Sequence, residues 1–120
     1  MVSEAAAEAV NEVRLVGTVS GDPEVRVLPS GDQLSTCRVV VPRKSVRTRP
    51  DGRKGPSVDV LECTAWTARP RRSIAGWHPG DTVEVRGSLR RRFFQAGGRT
   101  ASRVEVEVSS ARVLQRAASG

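Results

Sequence analysis

The sequence predicts an all-β chain: a five-stranded barrel with one short helix between the third and fourth strands and a long hairpin made by the fourth and fifth. Three observations predict it. Short runs of β-branched, alternating residues recur along the chain, each bounded by glycine, proline or aspartate. A single segment, residues 69–77, has the capping and stop signals of a helix. Residues 80–108 read as one long hairpin folded about Ala96, Gly97 and Gly98.

The first strand is expected over residues 11–20, where Val13, Val16 and Val19 cluster and Gly17 suggests a bend or bulge. Gly21, Asp22 and Pro23 are turn residues, and residues 24–28 resume extended structure as a bent continuation of the same strand. A second break at residues 29–32 precedes the second strand, residues 34–42, which ends in three consecutive valines. Residues 42–57 then change character. Arg43, Lys44, Arg47, Arg49, Arg53 and Lys54 lie among prolines and glycines with Asp51 as the lone acid, so this segment is expected to be a long, mobile, anion-facing loop.

The third strand, residues 58–66, alternates. Asp59, Leu61, Cys63 and Ala65 share one face and suit a barrel interior, which leaves Val60, Glu62, Thr64 and Trp66 on the other. Glu62 there would repel phosphate, so an arginine is expected to pair with it. In the helix, Thr67 is a candidate cap, Pro70 fits the first turn, and Ile74 and Trp77 supply an apolar plug. His78, Pro79 and Gly80 stop it, and the single histidine reads as a helix-end residue without catalytic or metal role. In the hairpin, Val83, Val85, Gly87, Leu89, Arg91 and Phe93 form a mostly core face, with Phe93 itself expected in core or interface. Glu84, Arg86, Ser88, Arg90, Arg92 and Phe94 form the opposite face, and the return strand buries Val104, Val106 and Val108 between Glu105 and Glu107. Arginines and a ring on one face are the composition of a surface that tracks a phosphate backbone and stacks bases; charged strands also serve simply to block edge pairing.

Composition narrows the function. The chain of 120 residues suits one domain, divided here into a flexible arm (1–10), the barrel (11–114) and a flexible end (115–120). Within the arm, residues 3–9 have the makings of a helical turn or two. The formal net charge is +7, and the first 12 residues hold three glutamates and no base, so the barrel is more basic still. Such a balance favours a polyanion. No apolar run approaches the roughly 18 residues that span a bilayer, and the amino terminus lacks the pattern of a signal peptide, so no membrane partner and a cytoplasmic location are expected. Cys37 and Cys63 lack metal-ligand spacing and are expected to be reduced and buried. The acids are scattered, with no nucleophile elbow and no phosphate-cradling glycine loop, so no catalysis, metal or cofactor is expected.

Four local patterns carry a resemblance that spans residues 11–114. The run NEVRLVG at 11–17, DPEVR at 22–26 followed by PSG at 29–31, and PGDTVEVRGSLR at 79–90 resemble, in order and spacing, the bacterial single-stranded DNA-binding protein family. The resemblance implies an OB-fold that binds single-stranded DNA with little sequence preference in replication, recombination or repair, as a homotetramer built of dimers, with a dimer as the alternative assembly. It also implies stacking roles for Trp66 and Phe94 and backbone contacts for Arg90 and Arg92. Arg86, by strand parity, and Arg43, Lys44, Arg47 and Arg49, by charge density, complete the candidate nucleic-acid-binding set. Two departures stand out. Family tryptophan positions are occupied by Val60 and by Ser45 or a neighbour, which predicts fewer stacked bases and steeper salt dependence. Residues 115–120 contain no acid, whereas the family's principal members end in an acidic tip that recruits repair proteins, so recruitment by that route is not expected. A short paralogue of actinobacterial type specialised for DNA protection, or a chain whose tail has been removed, would each account for this. An RNA-binding module or a primosome-type protein-interaction OB-fold remain the alternative functions.

Overall fold

Alternation of this kind does build five strands, in a computed structural model that describes residues 7–118. They are β1 (Val13–Val27), β2 (Gln33–Pro42), β3 (Val58–Ala65), β4 (Thr82–Ala96) and β5 (Arg99–Gln115), with one helix, α1 (Ala68–Ala75), between β3 and β4. The strands close into a barrel in the order β1-β2-β3-β5-β4. Only the β3–β5 contact is parallel. This is the expected OB architecture, helix position and hairpin included.

The core is made of small branched side chains because the inside of a five-stranded barrel is narrow. Val39, Cys63, Ala65, Val83 and Val85 are wholly buried, joined by Val19, Cys37, Val106 and Val108. Each buried valine contributes about 1.5 to 3 kcal/mol by leaving water. Helix α1 seals one end with Ile74 and Trp77, the latter lying just past Gly76, where the helix stops two residues short of the predicted boundary. Thr67 occupies the N-cap position in an extended conformation, but its hydroxyl makes no cap bond. Cys37 and Cys63 are free, buried and directly opposite one another across β2 and β3. A hydrogen bond with Cys37, reinforced by burial, pushes the Cys63 thiol far up.

β1 is one bent strand. Its register on β2 shifts between Ser20 and Glu24, so the bulge falls at the predicted turn rather than at Gly17. Gly17 serves a different end: a Cβ there would lie 3.0 Å from Val39 Cγ1 and the Val40 carbonyl carbon, and closer still to the Val40 oxygen. At the opposite end of the molecule, Gly97 and Gly98 take φ of 56° and 77°, the two positive values that a tight hairpin turn requires.

The basic segment after β2 has more internal structure than the mobile loop expected. Arg43 N donates to Ser57 O, Gly55 N to Arg47 O and Arg49 N to Arg53 O, and Thr48 bridges Lys54. It is a small hairpin. Of the predicted flexible arm, residues 7–10 are exposed and without regular structure, and residues 1–6 lie outside the described residues. At the other terminus, where a flexible end was expected from residue 115, Gln115 completes β5 and Ala117 N donates to Asp81 Oδ1 at 2.8 Å.

Candidate nucleic-acid interface

Two surfaces meet at Trp66. The first is the outer side of β2 and β3, where register pairs Thr36 with Thr64, Arg38 with Glu62, Val40 with Val60 and Pro42 with Val58. It runs from the basic loop to Trp66, eight residues or roughly 26 Å at strand rise. The arginine expected to neutralise Glu62 is Arg38, whose Nε lies 2.7 Å from Glu62 Oε1. That hydrogen bond and the carboxylate's charge raise Arg38 above its ordinary value. Val60, which the resemblance sets at a family tryptophan position, is 54% exposed, so this part of the surface is apolar and open but carries no ring.

The second surface is one face of the projecting hairpin. Beyond Leu89 and Val106, the last residue of β5 paired with β3, the two strands pair only with each other and project as a two-stranded arm. Cross-strand pairs on this face are Ser88 with Glu107, Arg90 with Glu105, Arg92 with Arg103 and Phe94 with Ala101. Arginine and glutamate pair diagonally, because side chains one step offset along a twisted ribbon approach each other. Arg90 Nε lies 2.7 Å from Glu107 Oε2, and Arg92 Nε 2.6 Å from Glu105 Oε1. Glu105 is buried and also accepts the Thr64 hydroxyl at 2.7 Å. Held so, the Arg92 guanidinium lies 5.6 Å from the centre of the Trp66 ring, and Arg103 lies 5.8 Å from that of Phe94. Both are cation–π distances.

These groups enclose a cleft of about 350 Å³ whose walls include Leu28, Leu34, Trp66, Arg92, Phe94 and Arg103. Apolar rings beside guanidinium planes suit unstacked bases, and phosphates can meet the same guanidinium edges. The structure thus brings together Trp66, Phe94, Arg90 and Arg92 of the predicted set. Arg43, Lys44, Arg47 and Arg49 lie at the far end of the β2–β3 surface. Arg43 is paired with Asp59 at 2.8 Å, which raises its pKa, whereas Lys44, Arg47 and Arg49 have no carboxylate within ion-pair distance among the described residues. Arg86 is separated from the cleft: it turns back toward Glu84 at 3.5 Å, in a cluster with Arg14 and Arg112.

Three expectations for the hairpin need correction. Phe93 is 68% exposed, so it is not core. Leu89, Arg91 and Val104 are exposed with it, because the barrel that would cover that face ends before them. Glu105, expected outside, is buried between Thr64 and Arg92. Arg103, which covers Phe94, was missed by sequence reasoning. The signal was present: counting outward from the Gly97 and Gly98 turn sets Arg103 opposite Arg92.

Comparison with known proteins adds to this geometry. Residues 10–114 match the model of the family described as "Single-strand binding protein family". The chain is 29% identical over 108 residues to a "Single-stranded DNA-binding protein" of Oceanobacillus iheyensis, covering 88% of this chain and 64% of that protein. It therefore spans less than two thirds of that relative's length. Among solved structures it is similar to a chain described as "Plasmodium falciparum SSB complex with ssDNA", with a TM-score of 0.74 and 18% identity over 92% of this chain and 100% of the other. At that identity the likeness concerns the fold.

Proposed function

The chain belongs to the single-strand binding protein family, and from this premise we propose that it binds and protects single-stranded DNA without strong sequence preference, in replication, recombination or repair. The observation that carries the proposal is the joining of Trp66, Arg92, Phe94 and Arg103 in one cleft that is continuous, along β2 and β3, with a basic loop. In this reading Trp66 and Phe94 take bases on their faces. Arg90 and Arg92 hold the backbone, and Lys44, Arg47 and Arg49 gather the strand at the other end. Nothing in that arrangement reads base edges, which accounts for binding any sequence. The protein acts by binding and not by catalysis, in the cytoplasm, as a homo-oligomer; a homotetramer is the assembly that family membership supports.

The test is a titration of tryptophan emission with oligo(dT), oligo(U) and a duplex of matched length. Trp77 is sealed in the core, so quenching by oligo(dT) reports on Trp66. Strong quenching by oligo(dT), with weaker binding of the duplex, is the expected result. Emission indifferent to oligo(dT) would refute the assigned surface, and tighter binding of oligo(U) would make RNA the ligand. Mass in solution decides the assembly.

A further inference from the structure

Two of the guanidinium groups assigned to the DNA backbone already hold an anion. Arg90 Nε lies 2.7 Å from Glu107 Oε2, and Arg92 Nη2 lies 3.6 Å from the same oxygen. A carboxylate oxygen shared by two guanidinium groups stands where a bridging phosphate oxygen would stand, because guanidinium binds both anions through similar directional hydrogen bonds. The two acids of this face differ in how they are held. Glu105 is 5% exposed and fastened from both sides, by Thr64 and by Arg92. Glu107 has a third of its side chain exposed, its polar contacts are the two arginines, and it lines an open hollow with Trp66, Arg90, Arg91 and Arg92.

Resting on the function proposed above, we infer that Glu107 is an affinity-setting residue: its carboxylate occupies the phosphate site between Arg90 and Arg92 in the free protein, and a backbone phosphate displaces it when a strand binds. Binding at this point is an exchange of anions. Arg90 gains a phosphate and loses a carboxylate, and the freed carboxylate takes up a cation from solution. That uptake cancels part of the cation release that normally drives association with a polyanion. Glu105 stays in place through the exchange and keeps Arg92 over Trp66, so the stacking surface is not dismantled.

The experiment uses the full chain and the Glu107→Gln variant, which keeps the side chain's shape and a neutral acceptor but not its charge. Oligo(dT) affinity is measured across salt concentrations for wild type, Glu107→Gln, Arg90→Ala and the double variant. Glu107→Gln is expected to bind on the order of threefold more tightly at low salt, the scale of an exposed ion pair. Its log–log salt slope should steepen by about 0.7, the value for one further phosphate contact on a single strand. In the Arg90→Ala background the gain should largely vanish. An equal gain with and without Arg90 would overturn the inference, since Glu107 would then act as a diffuse negative charge. No gain in either background would overturn it as well. These outcomes are separate from failure of the underlying reading, which would appear as full affinity in Trp66→Ala, Arg90→Ala and Arg92→Ala together.

Discussion

Gly87 is the last residue of β4 paired with β1, and Gly87→Ala is the most direct test of how the long hairpin departs from the barrel. β5 carries an extra residue there: Arg86 pairs with Ser110 and Gly87 with Val108, so Ser109 is left over as a bulge. The bulge brings the β5 backbone against Gly87. A Cβ on residue 87 would lie 2.9 Å from the Glu107 carbonyl carbon, 3.1 Å from Val108 Cα, and nearer still to the Glu107 oxygen. All three are backbone atoms, with no rotamer that would move them aside. Relief requires β5 to move off β4, at an overpacking cost of about 2 to 3 kcal/mol. For a domain of this size that is a loss of roughly 8–15 °C in Tm. Gly98→Ala is the control, because its φ is 77° but a Cβ meets nothing within 4 Å, so only the left-handed conformation is penalised, at about 1 kcal/mol. Thermal unfolding followed by circular dichroism compares the two. Equal melting points for the two variants would refute the close approach at Gly87.

Other expectations follow from the same contacts. Trp66→Ala should remove the quenching response and weaken oligo(dT) binding by about 5- to 150-fold, corresponding to the 1–3 kcal/mol of one stacked base; unchanged affinity would mean that the ring is structural. Neutralising Lys44, Arg47 and Arg49 together should flatten the salt slope by about 2, at 0.7 per phosphate contact, while moving the melting point by no more than about 2–3 °C. Acid should unfold the protein in a defined sense: Asp81, bonded by Ala117 N, His78 N and Arg116, and Glu84, bonded by Arg112 and Arg14, both titrate below their ordinary values when folded. The unfolded chain therefore binds more protons, so their stabilisation is complete only above about pH 5 and is lost as pH falls through the unfolded and then the folded values; Asp81→Asn should make the acid limb shallower, and an unchanged limb would remove Asp81 from the account. The Cys63 thiol, pushed up by Cys37 and by burial, should resist maleimide at neutral pH until the chain is denatured.

Much of the barrel was legible because a narrow core admits few side chains. Val83 and Val85, Cys63 and Ala65, and Val106 and Val108 alternate with polar residues, and that periodicity fixed both the strands and the face each turns inward. Alternation says which residues share a face, though not what covers it. Phe93 and Leu89 continue the parity of Val83 and Val85, yet they lie past the rim of the barrel and face solvent. The long hairpin was readable, and the point at which it becomes a free arm was not, since that depends on β3 pairing with β5 only at Cys63 and Thr64. Arg86 illustrates the same limit. It shares strand parity with Arg90 and Arg92, but the nearest carboxylate is Glu84, and a sequence does not disclose which anion a guanidinium will find.

That last point changes what the net charge of +7 means for binding. Arg14, Arg38, Arg43, Arg86, Arg90, Arg92, Arg112 and Arg116 all have a carboxylate within 4 Å. On the hairpin face, Arg90 and Arg92 are paired with Glu105 and Glu107, so the charge of these two arginines is partly compensated. The bases of the loop after β2 are different: apart from Arg43 they have no such partner among the described residues. Long-range attraction and salt dependence are therefore expected to draw more on the unpaired bases of the loop than on Arg90 and Arg92 of the cleft. On the proposed function, close contact at the cleft would depend on rings and on the guanidinium planes of Arg90 and Arg92, whose charge is already partly compensated. On the function proposed above, a surface divided in this way would draw a strand in through the loop at low salt and keep hold of it at the cleft when salt has screened the attraction, because stacking on Trp66 and Phe94 would not depend on counterions.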